Sequence, residues 1–187
     1  MPAEIGNLRN LHNLHLHNNQ LESLPAEIGN LCNLESLCLY NNQLQSLPAE
    51  IGNLCNLKNL YLSNNQLQSL SAEIGNLINL QTLYLSNNEL QNLPAEIGNL
   101  INLQNLNLYG NQLQSLPAEI LNIKNKLKID NTSYNINNLN NDNEILIFSE
   151  LNNKLINLPF NTKEIWLKSN IKNYDIKLPF GCIIKYY

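Results

Sequence analysis

The amino-acid sequence predicts an α/β solenoid, a stack of short coils that each contribute one strand and one short helical turn. Three observations carry that prediction. A 23-residue shift superposes LPAEIGNL at Leu24, LPAEIGNL at Leu47, LSAEIGNL at Leu70, LPAEIGNL at Leu93 and LPAEILNI at Leu116. Between these blocks a second constant segment reads L-x-x-L-x-L-x-x-N-x-L, beginning at Leu11, Leu34, Leu57, Leu80 and Leu103. Inside that segment the leucines alternate, as in Leu37-Cys38-Leu39, which is the period of a strand. A fixed short period of this kind marks a stack of supersecondary units.

Each element follows from its residues. Alternation turns Leu37 and Leu39 inward and leaves Cys38 and Tyr40 outward. An Asn follows where the chain must leave the strand, and Asn19, Asn42, Asn65, Asn88 and Asn111 share that column. Turned inward, such an amide can bond backbone groups of adjacent coils that burial would otherwise leave unpaired. Pro25 and its equivalents end the next bend, with Ser71 the single replacement. Glu27 and its equivalents stand where a short helical turn begins, which suits a negative charge. One repeat buries too little apolar surface to offset the ordering of its backbone, so neighbours must close the core.

These motifs resemble the leucine-rich-repeat family over residues 2–123 without a gap. The L-P-x-x-I-G-x-L form is similar to that of intracellular Ras-binding leucine-rich scaffolds and plant intracellular Ras-group-related repeat proteins. The resemblance implies an arc with a parallel sheet on its concave side and helical turns on its convex side. It also implies a protein partner, such as a small GTPase, a phosphatase or a ubiquitin-ligase component.

Residues 1–123 are thus read as regular 23-residue repeats, and 124–187 as an irregular junction followed by degenerate 20-residue repeats that continue or cap the solenoid. LPFNTKEIWL begins at Leu158 and LPFGCIIKYY at Leu178, and the same interval separates Ile145-Leu146-Ile147 from Ile165-Trp166-Leu167. PFNTKE lacks the apolar pair of EIGNL, so these rungs are expected to have an extended convex side. The LPF units look loosely like short Phe/Asn-containing repeats of amoebal and giant-virus proteins. The junction from Lys124 to Asn143 is expected to bulge.

Charge and composition narrow the function. The net charge of −4 is split: residues 1–121 carry Arg9 and Lys58 against nine Glu, a balance of −7, and the remainder carries nine Lys against six acids, +3. Neither part has the dense basic face that phosphate binding needs, so nucleic acid is not expected. No run of eighteen apolar residues suggests a membrane span. MPAEIGNLRN lacks the basic and apolar regions of a secretory signal, so the cytoplasm is the expected location, that of the host cell if the source is viral. The Asn sequon at Asn131 is then idle, and Cys32, Cys38, Cys55 and Cys182 are expected as free thiols. The bias toward Asn, Ile, Lys and Tyr points to an AT-rich genome, such as an amoeba's or that of a large DNA virus infecting one.

Outward strand positions supply the candidate binding face. One column reads His15, Cys38, Tyr61, Tyr84, Asn107; the next reads His17, Tyr40, Ser63, Ser86, Tyr109; a flanking one reads His12, Glu35, Lys58, Gln81, Gln104. With rungs about 4.8 Å apart, Tyr61 and Tyr84 are expected to stack. The partner-binding set is His15, His17, Tyr40, Lys58, Tyr61, Tyr84 and Tyr109, because rigid amphipathic rings are common recognition material. His12, His15 and His17 share the first strand, but no Cys or carboxylate completes a metal site, and no metal or cofactor is expected. The column of Glu4, Glu27, Glu50, Glu73, Glu96 and Glu119 reads as a solvated turn-start residue copied by duplication. No nucleophile–base–orienter set, phosphate loop or independent acid pair is visible, so the chain is not expected to be an enzyme.

The expected function is a non-catalytic protein–protein interaction module that uses its concave face. The alternative is a structural repeat protein that self-associates through uncapped ends, since the sequence opens in mid-repeat at Met1 and stops on a predicted strand at Tyr187. A third reading is the recognition part of a larger enzyme.

Overall fold

The structure is a computed structural model that describes residues 1–113 and 116–123, and after them six strands. Strands β1 (Asn13–His15), β2 (Ser36–Cys38), β3 (Asn59–Tyr61), β4 (Thr82–Tyr84), β5 (Asn105–Asn107) and β6 (Lys128–Asp130) form one parallel sheet in chain order. Every pair is offset by one full repeat, so Leu14, Leu37, Leu60, Leu83, Leu106 and Ile129 stand side by side. These strands are rungs one to six. Between them lie 3-10 turns at Ala3–Asn7, Ala26–Asn30, Ala49–Asn53, Ala72–Asn76, Ala95–Asn99 and Ala118–Asn122.

The core is a set of leucine and isoleucine columns running through the stack. Ile28, Leu31, Leu34, Leu37, Leu39 and Leu44 of one coil are all fully buried, as are their equivalents in the next two. Each turn is entered from an extended residue. Pro25, at φ −71° and ψ 152°, supplies that geometry through its ring. Ser71 holds the same geometry without a ring, at φ −73° and ψ 158°, and its hydroxyl is buried without a hydrogen-bond partner. The replacement therefore gives up the ring's stiffness and also buries an unpaired hydroxyl.

Glycine in the turn is a stacking requirement. A Cβ on Gly75 would lie 2.5 Å from the carbonyl oxygen of Glu96 in the next turn, and Gly29 and Gly52 meet Glu50 and Glu73 in the same way. The equivalent position in the sixth turn is Leu121, and among the described residues no 3-10 turn follows it. The contact that demands glycine ends there too.

Asn residues hold the strand exits. Asn65 donates from its amide to the carbonyls of Leu39 (3.0 Å) and Leu62 (2.9 Å) and accepts from the backbone N–H of Leu44 (3.0 Å). All three partners are buried, and they belong to two coils. Asn42, Asn88 and Asn111 repeat the pattern, while the side-chain amide of Asn19 donates to the carbonyls of Leu16 and His17 on its own coil. A neighbouring column was not anticipated. Asn18, Asn41, Asn64 and Asn87 take left-handed backbone at φ 53–57°, and Gly110 takes their place at φ 68°. Their side chains form a ladder, each amide donating to the Oδ1 of the Asn before it at 2.6–2.8 Å. Asn33, Asn56, Asn79 and Asn102 make a third column, donating to the carbonyls of Arg9, Cys32, Cys55 and Ile78.

Beyond the regular array the strands remain parallel. β7 (Ile145–Phe148), β9 (Glu164–Leu167) and β11 (Ile183–Tyr186) form a three-stranded sheet, and β8 (Ile156–Asn157) pairs with β10 (Ile176–Lys177). The 20-residue interval holds between β8 and β10. β9, however, pairs with β7 and β11 at an interval of 19, a correction to the expected register. That shift sets Ile165 opposite Leu146 and Ile184, where an interval of 20 would set Glu164 opposite Ile184. The expected bulge from Lys124 to Asn143, the sequon at Asn131, Cys182, the extended convex segments and Tyr187 lie outside the described residues, apart from the backbone of β6.

Both the turn entry and the Asn column can be tested by stability. Ser71→Pro should raise stability by about 1–2 kcal/mol in urea unfolding, since it restores the ring and removes an unpaired hydroxyl; a loss would show that the hydroxyl is satisfied in solution. Asn65→Asp keeps the shape but removes both donors, and should cost at least about 3 kcal/mol at neutral pH in the same measurement.

Candidate functional site

The strand sequence Leu-x-Leu fixes where the outward side chains go. With Leu60 and Leu62 locked in the core, Tyr61 must point to the other face, and the parallel register places it beside Cys38 and Tyr84. The rings of Tyr61 and Tyr84 meet edge to face, with centroids 5.5 Å apart and planes at 76°. The expected stack is thus an edge contact, the arrangement that sets a positive ring edge against a negative face.

The parallel stack lies elsewhere, between His17 and Tyr40, at 4.6 Å and 11°. His15 stands edge-on to His17 at 6.0 Å. His17 Nδ1 is buried without a hydrogen-bond partner, and the Nδ1 of His12 bonds the carbonyl of Asn10. Between the two aromatic groups sits Cys38, expected outward but buried: the small side chain is flanked in register by His15 and Tyr61, which shade it. Burial raises the pKa of its thiol, so it stays protonated. Burial, with Cys38 and Tyr84 beside it, likewise raises the Tyr61 phenol, which stays neutral. Tyr84 and Tyr109 are exposed.

Polar groups edge the rings. Ser86 donates to Ser63 at 2.8 Å, and the Asn107 side chain accepts from the backbone N–H of Tyr109. Lys58 is set apart in the flanking column, where its ammonium bonds the Glu35 carboxylate at 2.7 Å. Both line an open hollow of about 330 Å³ with Asn56, Asn79, Gln81 and Asn102. The structure therefore gathers His15, His17, Tyr40, Tyr61 and Tyr84 into a diagonal strip across rungs one to four. Tyr109, exposed on rung five, lies in the column of Tyr40, beyond Ser63 and Ser86. Lys58 joins the hollow instead.

Sequence reasoning named these rings and paired Tyr61 with Tyr84, but missed the His17–Tyr40 stack and the Lys58–Glu35 bond. The charges were legible, one repeat apart in one column. Among the described residues no three His, Cys, Asp or Glu side chains come together as a metal site, and no helix is long and apolar enough to cross a membrane.

A family model described as leucine-rich repeat region matches residues 1–83 and 50–141, which together take in β1 to β6 and all six turns. The chain belongs to the leucine-rich-repeat family. Two solved structures show how far the likeness of this leucine-rich-repeat chain extends. A leucine-rich-repeat protein of Leptospira interrogans is 34% identical, over 95% of this chain and 52% of that one, with a TM-score of 0.70. The plant peptide hormone receptor RGFR1, in complex with RGF2, is 30% identical over 95% of this chain and 34% of its own, also at 0.70. The chain spans about half the length of the first and about a third of the second. No curated protein matches it.

The ion pair yields a pH prediction. The Lys58 hydrogen bond, and then its charge, hold the Glu35 carboxyl below the usual carboxylate range. A lowered folded pKa contributes stability above the unfolded value, and that contribution is lost as the pH falls through the folded value. Lys58→Met should therefore return the Glu35 titration, followed by NMR, to the ordinary range. An unmoved titration would show that the pair does not persist in solution.

Proposed function

We propose that this leucine-rich-repeat chain is a non-catalytic binding module, whose concave strand face takes a neutral, aromatic or apolar segment of a protein partner. The observation that carries the reading is the strip of rings held in fixed pairs, His17 on Tyr40 and Tyr61 against Tyr84, on strands locked in register. Rings already ordered lose little freedom on contact, and amphipathic tyrosines supply both area and a hydroxyl. Around Tyr61 the strip is electrically quiet, because its phenol is neutral and the flanking Lys58 is matched by Glu35. A peptide hormone receptor among the structural relatives, in complex with RGF2, supports a protein or peptide as the class of partner.

A peptide library displayed on phage and panned against the full chain tests the proposal. Selected peptides should bind the wild type at least about ten-fold more tightly than Tyr61→Ala/Tyr84→Ala, since ring truncation at a binding centre costs about 2 kcal/mol or more. Thermal unfolding checks that the double variant remains folded. Peptides that bind both proteins equally would move the site off this face.

A further inference from the structure

Cys32 and Cys55 occupy the same position in consecutive repeats, immediately after the buried Leu31 and Leu54. Both are exposed free thiols. Their local backbones match: Cys32 N–H donates to Asn30 O at 2.9 Å, and Cys55 N–H to Asn53 O at 2.8 Å. The side chains therefore leave the two coils in parallel. The coils are also tied together at this point, because the Asn56 amide donates to the carbonyl of Cys32 itself at 2.8 Å. Three residues on, Lys58 N–H donates to Glu35 O at 2.8 Å, so the two coils run from this tie directly into the ladder. Equivalent residues on neighbouring parallel strands lie about 4.8 Å apart. Disulfides bridge Cα separations of about 4.4–6.8 Å. No other pair of adjacent described rungs has this chemistry: the column reads Arg9, Cys32, Cys55, Ile78, Ile101.

We propose that Cys32 and Cys55 form a dithiol site that a small-molecule disulfide, such as oxidised glutathione, converts into a covalent clamp between the second and third coils. The Cys32 thiolate attacks one sulfur of the oxidant, forms a mixed disulfide and releases one glutathione thiolate. The Cys55 thiolate then attacks the Cys32 sulfur, closes the Cys32–Cys55 bond and releases the second glutathione. Two electrons pass to the oxidant, and the two protein protons end on the two glutathione thiols. The order of attack can be reversed without changing the balance. Cys38 takes no part, because it is buried between His15 and Tyr61 and its thiol stays protonated. The clamp closes a loop of one repeat and fastens the coils that carry Tyr40 and Tyr61, without touching either ring's face.

Glu-specific proteolysis separates the three thiols, placing Cys32 in residues 28–35, Cys38 in 36–50 and Cys55 in 51–73. After treatment of the full chain with oxidised glutathione, mass spectrometry should find 28–35 linked to 51–73 in a monomer, with 36–50 unmodified. Closing a loop of this size should raise the melting temperature by roughly 6–12 °C, reversed by dithiothreitol. Cys32→Ser and Cys55→Ser should each trap a single glutathione adduct and abolish the rise. Separate stable adducts on both residues of the wild type, or linkage between two molecules, would overturn the proposal. So would a linked monomer with no change in melting temperature, because the clamp would then bear no load between coils.

Discussion

A coil that turns through a sheet, a bend and a 3-10 turn within one short repeat must abandon its strand hydrogen bonds in a dry interior. The amide of the inward Asn resolves that problem. Its two hydrogens serve one carbonyl on its own coil and one on the coil before, and its oxygen takes an N–H that the ladder has released, as Asn65 does with Leu62, Leu39 and Leu44. No other side chain of that length carries two donors and an acceptor in one plane. The bond set spans adjacent coils, so satisfying the polar backbone and stacking the repeats are a single event. The leucine columns supply the gain from burial, and the Asn column decides that burial occurs in one register.

The other invariant positions answer steric demands set by that stacking. Glycine in the 3-10 turn lets the next turn's carbonyl approach to a distance that excludes a Cβ, and proline before the turn holds the extended entry. Where Leu121 replaces the glycine, no further 3-10 turn follows among the described residues; β6 still pairs at an interval of 23, and the strands after it pair at 19 and 20. The change of period is thus prepared by one residue before it occurs.

Much of this was legible because period and alternation are dictated by backbone geometry. The strands, the turns, the inward leucines and the role of Asn42 and its equivalents all followed from spacing. The ladder of Asn18, Asn41, Asn64 and Asn87 did not, although its signal was present: Gly110 stands where the others have Asn, and these are the residue types that accept left-handed backbone. What spacing cannot supply is side-chain torsion. Tyr61 and Tyr84 were rightly placed as neighbours, yet whether their rings lie flat or edge-on depends on χ angles that no period encodes. Burial of Cys38 escaped for a related reason. Alternation assigns a face, while the size of the flanking His15 and Tyr61 decides how much of that face water reaches.

The repeats also act as an internal comparison that separates stacking from recognition. Positions that hold coils together read alike from copy to copy, including exposed ones such as Asn33, Asn56, Asn79 and Asn102, whose amides each bond the previous coil. Outward strand positions are relieved of that duty, because their neighbours Leu60 and Leu62 already anchor the strand on both sides. They have diverged to His15, Cys38, Tyr61, Tyr84 and Asn107 within one array. His17 lies flat on Tyr40 and Tyr61 meets Tyr84 edge-on, each pair joining residues of two different coils. The first pair joins different residues at one repeat position and the second repeats one residue in consecutive copies, and the constant scaffold beneath them holds the two halves of each pair in reach.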